Sequence, residues 1–126
     1  MEKDNANIYI IEDDDFLRSL MINKLQTAGY LVDGFSDGRT GMDALWRDMP
    51  DLLVLDLILP GMHGFEILEK IRTNSMMKSL KVIVFSNVNS TEDIKRARDL
   101  NVENYLIKAS FTLDELLDKV KESLAR

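Results

Sequence analysis

The stretch LLVLDLILPG runs from Leu52 to Gly61, and seven of its ten residues are aliphatic. One acid, Asp56, sits among them. An ionised carboxylate taken into an apolar medium loses much of its solvation, and the loss is tolerated only where something compensates. Either Asp56 stands at the mouth of a buried strand, within reach of water and cations, or the strand reading is wrong. The segments on either side decide between the two.

Short aliphatic or β-branched runs recur along the chain: Ile8–Ile11, Tyr30–Phe35, Leu52–Leu55, Lys81–Phe85 and Asn104–Ile107. They have the length and composition of strands. Amphipathic stretches alternate with them. In the first, Leu17, Leu20, Met21, Leu25 and Ala28 share a helical face that Gly29 is placed to end. In the last, Leu113, Leu116, Leu117, Val120 and Leu124 form one stripe. Thr112 and Glu115 spell a capping box before it, and Phe111 with Leu116 suits a hydrophobic staple. Ser90 and Asp93 give a weaker cap signal, and Asn101 suits a left-handed stop. Strand then helix, five times over, calls for a parallel sheet covered by helices on both faces, with right-handed crossovers. The runs Ile8–Ile11 and Leu52–Leu55 are almost wholly apolar, as central strands should be, whereas Asp33 and Gly34 place Tyr30–Phe35 nearer an edge.

Composition narrows the function. With 126 residues, 45% hydrophobic and 30% charged, the chain has the make-up of one globular domain, expected to span residues 1–126 with its core at about 8–124. No apolar run approaches the ~18 residues that cross a bilayer, and the first residues do not form a basic region followed by an apolar one. There is no cysteine, in keeping with a reducing cytoplasm, and the net charge of −6 disfavours direct binding to nucleic acid or to an anionic membrane surface. Cations and basic protein surfaces suit it better.

In open α/β sheets ligands bind beyond the carboxyl ends of the strands. The first strand runs into Glu12, Asp13, Asp14 and Asp15; the third into Asp56; the fourth into Ser86 and Asn87; the fifth into Lys108. Asp56 is therefore expected at a functional edge, facing further acids and an ammonium. Carboxylates gathered in one pocket repel and raise at least one pKa, and a divalent cation relieves this. Mg²⁺ suits hard oxygen ligands with room for water, and Mn²⁺ is an expected substitute. Acids, metal, lysine and hydroxyl together suit phosphoryl chemistry, in which a carboxylate can attack phosphorus.

Four fragments now carry a resemblance. IYIIEDDD, DLLVLDLILPGMHGFEIL, VIVFSN and NYLIKAS resemble, in order, the acidic first strand, the phosphoacceptor strand with its Pro-Gly loop, the fourth strand with its switch hydroxyl, and the fifth strand of the receiver domain of bacterial two-component response regulators. The likeness covers about Ile8 to Leu124. It implies a single flavodoxin-like, doubly wound (βα)5 domain with strand order 2-1-3-4-5. It implies Asp56 as phosphoacceptor, Lys108 in contact with the phosphoryl group, and Ser86 hydrogen-bonding that group after transfer while Tyr105 reorients. Asp13 and Asp56 would bind the metal, with the backbone carbonyl of Ile58, and Glu12 would act through water. Asp14 or Asp15 would begin the first helix.

The resemblance further implies a switch, not an enzyme. A histidine kinase or histidine phosphotransfer protein would supply the phosphoryl group. The face made by the fourth helix, fifth strand and fifth helix would then engage a downstream protein target, with a homodimer through that face as an option. No output domain is expected within these residues. Ile58 and Val88, two past Asp56 and two past Ser86, would flank the approach of a hydrolytic water with Asn87 beside them, so a long-lived acyl phosphate is expected.

Three positions depart from the family pattern. Ala109 follows Lys108, where proline, commonly after a cis bond, is usual; a cis bond before another residue costs about 3 kcal/mol or more, so a trans or a strained turn is expected. Asn87 stands where a small residue is usual, and His63 where the loop often carries an acid or a small polar group. Other readings fit less well. A phosphohydrolase of the haloacid dehalogenase type needs a second acid two residues after the first, where this chain has Ile58. A flavin-binding module wants a glycine- and hydroxyl-rich loop after the first strand, where this chain has acids. A purely structural pseudo-receiver would not need the full set of site residues. Trp46, beside Leu45, reads as a packing residue, Met76–Met77 as loop or partial core, and His63 as a loop residue with no ligand role.

Overall fold

Three strands, β1 (Asn7–Ile11), β3 (Leu52–Leu55) and β4 (Lys81–Ser86), form the centre of the sheet, and nearly every residue in them is buried. The computed structural model describes residues 5–126; residues 1–4, part of the expected domain and of the segment read for a leader, lie outside the described residues. β2 (Leu31–Phe35) and β5 (Asn104–Ile107) are the edges. All pairings are parallel and the order is β2-β1-β3-β4-β5, the doubly wound arrangement expected. The crossover helices are α1 (Asp15–Thr27), α2 (Gly38–Arg47), α3 (Gly64–Thr73) and α4 (Thr91–Asp99), and α5 (Leu113–Leu124) closes the chain. Among the described residues no helix is long and apolar enough to cross a membrane.

The pleat divides the apolar residues between two cores. Successive strand side chains point to opposite faces. Tyr9, Ile11, Leu53, Leu55, Val82 and Val84 pack on one face with residues of α2, α3 and Ala97 of α4. Ile8, Ile10, Leu52, Val54, Ile83 and Phe85 pack on the other with Met21 and Leu25 of α1 and Leu116 and Val120 of α5. A parallel sheet is covered on both faces, and apolar burial there contributes about 25 cal/mol per Å².

Helix ends follow local chemistry. Asp14 caps α1 by accepting from the Leu17 N–H, and Gly29, at φ +103°, ends it. Ser90 caps α4 through the Asp93 N–H, and Asn101 takes the left-handed position at φ 60°. The Thr112–Glu115 capping box is formed in both directions, and Phe111 packs against the core that contains Leu116. At Gly64 a Cβ would lie 2.5 Å from the Asp56 carbonyl oxygen, so α3 starts tight against the end of β3 only because residue 64 has no side chain.

Some expectations are corrected. β2 begins at Leu31, while Tyr30 is buried just before it. On α1 Met21 and Leu25 are buried and Leu17 and Ile22 partly buried; Leu20 is 42% exposed because it lies on the flank of that face, and Ala28 is exposed because it is the C-cap, past the last helical residue Thr27. Trp46 is 56% exposed. Met42, Ala44 and Leu45 already fill the space beneath α2, and Trp46 lies in its last turn, lining a groove of about 280 Å³ with Met49 and Met76. The methionine pair divides: Met77 is buried and Met76 is 80% exposed.

Candidate functional site

The parallel register brings the ends of β1, β3 and β4 to one edge, where Ile11 pairs with Leu55 and Leu55 with Val84. One residue beyond the first of these pairs come Glu12 and Asp56, 1% and 6% exposed. The Asp56 N–H donates to the Ile11 carbonyl at 3.1 Å, and the Glu12 N–H donates to the Phe35 carbonyl at 3.0 Å. Both carboxylates are thus held on paired backbone and buried by the sheet itself.

Lys108 compensates their burial. Its Nζ donates to Asp56 Oδ2 at 2.8 Å and lies 2.7 Å from Glu12 Oε1. The contact with Glu12 is a close ion pair and not an aligned hydrogen bond, so Oε1 lacks a hydrogen-bond donor. The other oxygens are satisfied by backbone: Asp56 Oδ1 accepts from the Leu57 N–H at 2.7 Å and, more weakly, the Ile58 N–H at 3.4 Å, and Glu12 Oε2 accepts from the Asp14 N–H at 3.1 Å. Burial pushes the Glu12 carboxyl above its ordinary range, against the lowering effect of Lys108 and the Asp14 N–H. For Lys108 burial acts against the charge, but its pairing with Asp56 and then Glu12 outweighs it, and the ammonium is held above its ordinary value.

Buried Glu12 and Asp56 and exposed Asp13 meet at this point: the three carboxylates each offer one oxygen, all within 4.8 Å of one another. Among the described residues the three carboxylates face a single ammonium. Hard oxygen donors with uncompensated negative charge fit a divalent cation of the Mg²⁺ class.

Asp13, Asp56 and Lys108 open onto a cavity of about 390 Å³ whose other walls are Ile58, Ser86, Asn87 and Val88. Ser86, fully buried, accepts the Val88 N–H at Oγ, 3.3 Å. The Val88 carbonyl in turn accepts the Tyr105 O–H at 2.5 Å. Val84 pairs with Tyr105 and Ser86 with Ile107, so alternation puts Ser86 and Tyr105 on the same face, the one that carries α4. The Tyr105 ring is already half-buried against that core. Ile58 is 58% exposed at the mouth.

Sequence reading overlooked several contacts here. Asn87 Oδ1 accepts the Ala109 N–H at 3.2 Å, and among the described residues no peptide bond is cis, so Lys108–Ala109 is trans. Arg18 donates to the Glu12 carbonyl at 2.8 Å and pairs with Asp15 at 2.7 Å, bracing the acidic turn. His63, read as a plain loop residue, caps α3: its Nδ1 accepts the Phe65 N–H at 3.2 Å. Asn87, Ala109 and His63 each carried a signal, their departure from the residues usual at those positions, but nothing in the sequence named their partners.

Comparison with known proteins points to one family and one fold. The family profile of the response regulator receiver domain matches residues 8–121. The transcriptional regulatory protein HprR of Escherichia coli K12 is 37% identical over 117 residues, 93% of this chain and 51% of HprR. The response regulator ArlR of Staphylococcus aureus Mu50 is 33% identical over 121 residues, 96% of this chain and 53% of ArlR. The chain thus spans about half the length of these relatives. A CheY-like response regulator receiver domain protein from Methanospirillum hungatei JF-1 superposes with a TM-score of 0.88 at 26% identity, covering 95% of this chain and 94% of that one.

Burial, followed by the nearby charges of Asp93 and Asp56, pushes the Tyr105 phenol up to about 12 from its ordinary 10.0. The folded chain therefore binds the neutral phenol more tightly than the unfolded chain does, and this share of stability, complete below pH 10, is lost as pH rises from about 10 to 12. The absorbance difference at alkaline pH between the parent and Tyr105→Phe is expected to titrate near 12; a step near 10 would contradict the packing described.

Proposed function

Because the chain belongs to the response regulator receiver domain family, we propose that it is a switch of two-component signalling that accepts a phosphoryl group on Asp56. The observation that carries this is the buried Asp56 carboxylate, held at 2.8 Å by Lys108 and within 4.8 Å of the Glu12 and Asp13 carboxylates, at the floor of an open cavity. A carboxylate so fixed needs no reorganisation to attack, and phosphoryl transfer is mainly a matter of positioning and charge stabilisation.

In the proposed step an Asp56 oxygen forms a bond to phosphorus as the bond from phosphorus to the imidazole nitrogen of a partner's phosphohistidine breaks. The imidazole leaves with the electron pair and takes up a proton. Lys108 pairs with an oxygen of the transferred group. Asp13, Asp56 and the Ile58 carbonyl would hold Mg²⁺, or Mn²⁺ in its place, with Glu12 acting through water. Such an ion supplies neutralisation of the charge on the phosphoryl oxygens. The partner is a histidine kinase or phosphotransfer protein in the cytoplasm. The chain assists its own phosphorylation and dephosphorylation without being an enzyme that turns over a separate substrate.

The readout proposed is the surface of α4, β5 and α5. Ser86, the Val88 peptide and Tyr105 form one run of hydrogen bonds from the cavity to that surface. Movement of the Ser86 hydroxyl toward a phosphoryl oxygen strains the bond from the Val88 N–H. The Val88 carbonyl, the acceptor for Tyr105, moves with its loop. Phosphorylation then shifts a pre-existing equilibrium toward a form that a protein target, or a second copy of the chain, binds through this face. Neither nucleic acid nor membrane is proposed as a direct ligand.

Incubation with a small phosphodonor and Mg²⁺ is expected to add one phosphoryl mass to the parent and none to Asp56→Asn, and a chelator should suppress the reaction. The amide resonances of Tyr105 and α4 are expected to move in the phosphorylated parent only. Labelling of Asp56→Asn, or full reaction in chelator, would contradict the assignment of Asp56.

A slow loss of the phosphoryl group is part of the same reading. Ile58 and Val88 line the cavity with side chains that cannot orient a water, and the Asn87 amide oxygen, the one atom of that side chain able to accept a proton from an attacking water, is occupied by Ala109. Decay in the parent is expected to be slower than in Ile58→Asn/Val88→Glu at fixed metal and temperature. Equal or faster decay in the parent would reject the shielding.

A further inference from the structure

Ala109 is the second residue of the 3₁₀ turn Lys108–Ser110, and Ile107, which precedes that turn, supplies no side-chain cap. The first N–H groups of a helical turn have no partner inside it. Proline near the start of such a turn removes the donor and fixes the backbone at once, and proline is the residue that the resembled family usually places after its lysine. Here the donor remains. Its acceptor comes from 22 positions away, Asn87 Oδ1 at 3.2 Å, on the loop that follows β4. The two departures noted in the sequence thus meet each other: the N–H that alanine retains is bonded by the amide that stands where a small residue is usual.

We propose that Asn87 is a positioning residue for Lys108, its amide replacing the proline ring in fixing the turn that carries the ammonium to Asp56 and Glu12. Each end of the tether adjoins a site residue, since Asn87 follows Ser86 and Ala109 follows Lys108. Adjacent Cα atoms are a fixed ~3.8 Å apart across a trans peptide, so displacement of Ala109 reaches Lys108 directly. The tether also joins the loop that moves with Ser86 to the loop that holds Lys108. Because a backbone N–H needs an acceptor, the amide is oriented with its oxygen on Ala109, which leaves its NH₂ as a free donor at the cavity that Asn87 lines.

The inference rests on the reading of Asp56 and Lys108 as the phosphoryl site, so its test begins without a phosphodonor. Amide hydrogen exchange at Ala109 and the Lys108 side-chain resonances are compared in the parent, Asn87→Ala and Asn87→Asp. Asn87 is exposed, so its truncation leaves the core intact. In Asn87→Ala, exchange at Ala109 is expected to quicken by roughly fivefold, the scale of one net hydrogen bond, and the Lys108 signals to move. Asn87→Asp keeps the acceptor and should keep the protection. With a small phosphodonor, Asn87→Ala is then expected to react several-fold more slowly than the parent although its cavity mouth is wider, and Asn87→Ala/Ala109→Pro to recover. Unchanged exchange at Ala109, or unmoved Lys108 signals, would overturn the tether. Reaction of Asn87→Ala at or above the parent's rate would overturn the positioning role. A parent that takes up no phosphoryl group at all would instead reject the Asp56 reading, with the exchange and Lys108 measurements still deciding the tether.

Discussion

The Lys108 ammonium is the group on which the site depends. Two carboxylates almost without solvent, Glu12 and Asp56, sit at the ends of neighbouring strands, and Lys108 lies within 2.8 Å of both. Removing one partner from a buried ion pair leaves an uncompensated charge, a change that typically costs about 3–5 kcal/mol. Backbone N–H groups take part of the load at Asp56 Oδ1 and Glu12 Oε2. What remains is an acidic cavity with more negative charge than its single lysine balances, a state suited to accepting a cation and, beside that cation, a phosphoryl group.

The sheet makes this possible by geometry that is indifferent to chemistry. Parallel register brings the strand ends level, and the double layer of helices buries whatever lies just inside them. Period-two alternation then places Ser86 and Tyr105 on the α4 side, where the Val88 peptide links one to the other. The route proposed from cavity to surface is therefore short: a hydroxyl, the backbone of one residue and one ring. Such a path involves few atoms, and under the proposed function it would act by biasing an equilibrium between two conformations.

Most of the fold could be read from the sequence because its signals are local. Apolar runs of strand length, the Thr112–Glu115 box, Gly29 and Asn101 each report on a few neighbouring residues, and all are found where they were expected but for the first residue of the second run, Tyr30. The acids and Lys108 were legible because α/β topology alone determines which strand ends converge. Contacts between distant loops were not. Nothing in the residues around Asn87 announces Ala109 as its partner, and the cap that His63 gives α3 uses a side chain with many other uses. Helical periodicity counted Leu20 and Ala28 with the buried stripe of α1, but the width of the covered face is set by packing and its end by the cap at Ala28. Trp46 was misplaced for the same reason: size suggests burial, and only the filled space beneath α2 shows that no room is left.

The central claim is that the Asp56 carboxylate, and no other acid of the cluster, becomes the acyl phosphate. Reduction with borohydride converts an aspartyl phosphate to homoserine, a change that survives proteolysis and can be located by peptide mass. After reaction of the parent with a small phosphodonor and Mg²⁺, homoserine is expected at position 56 alone. Its appearance at Asp13 or any other aspartate, or its absence from position 56 in protein that carries the phosphoryl mass, would contradict the account.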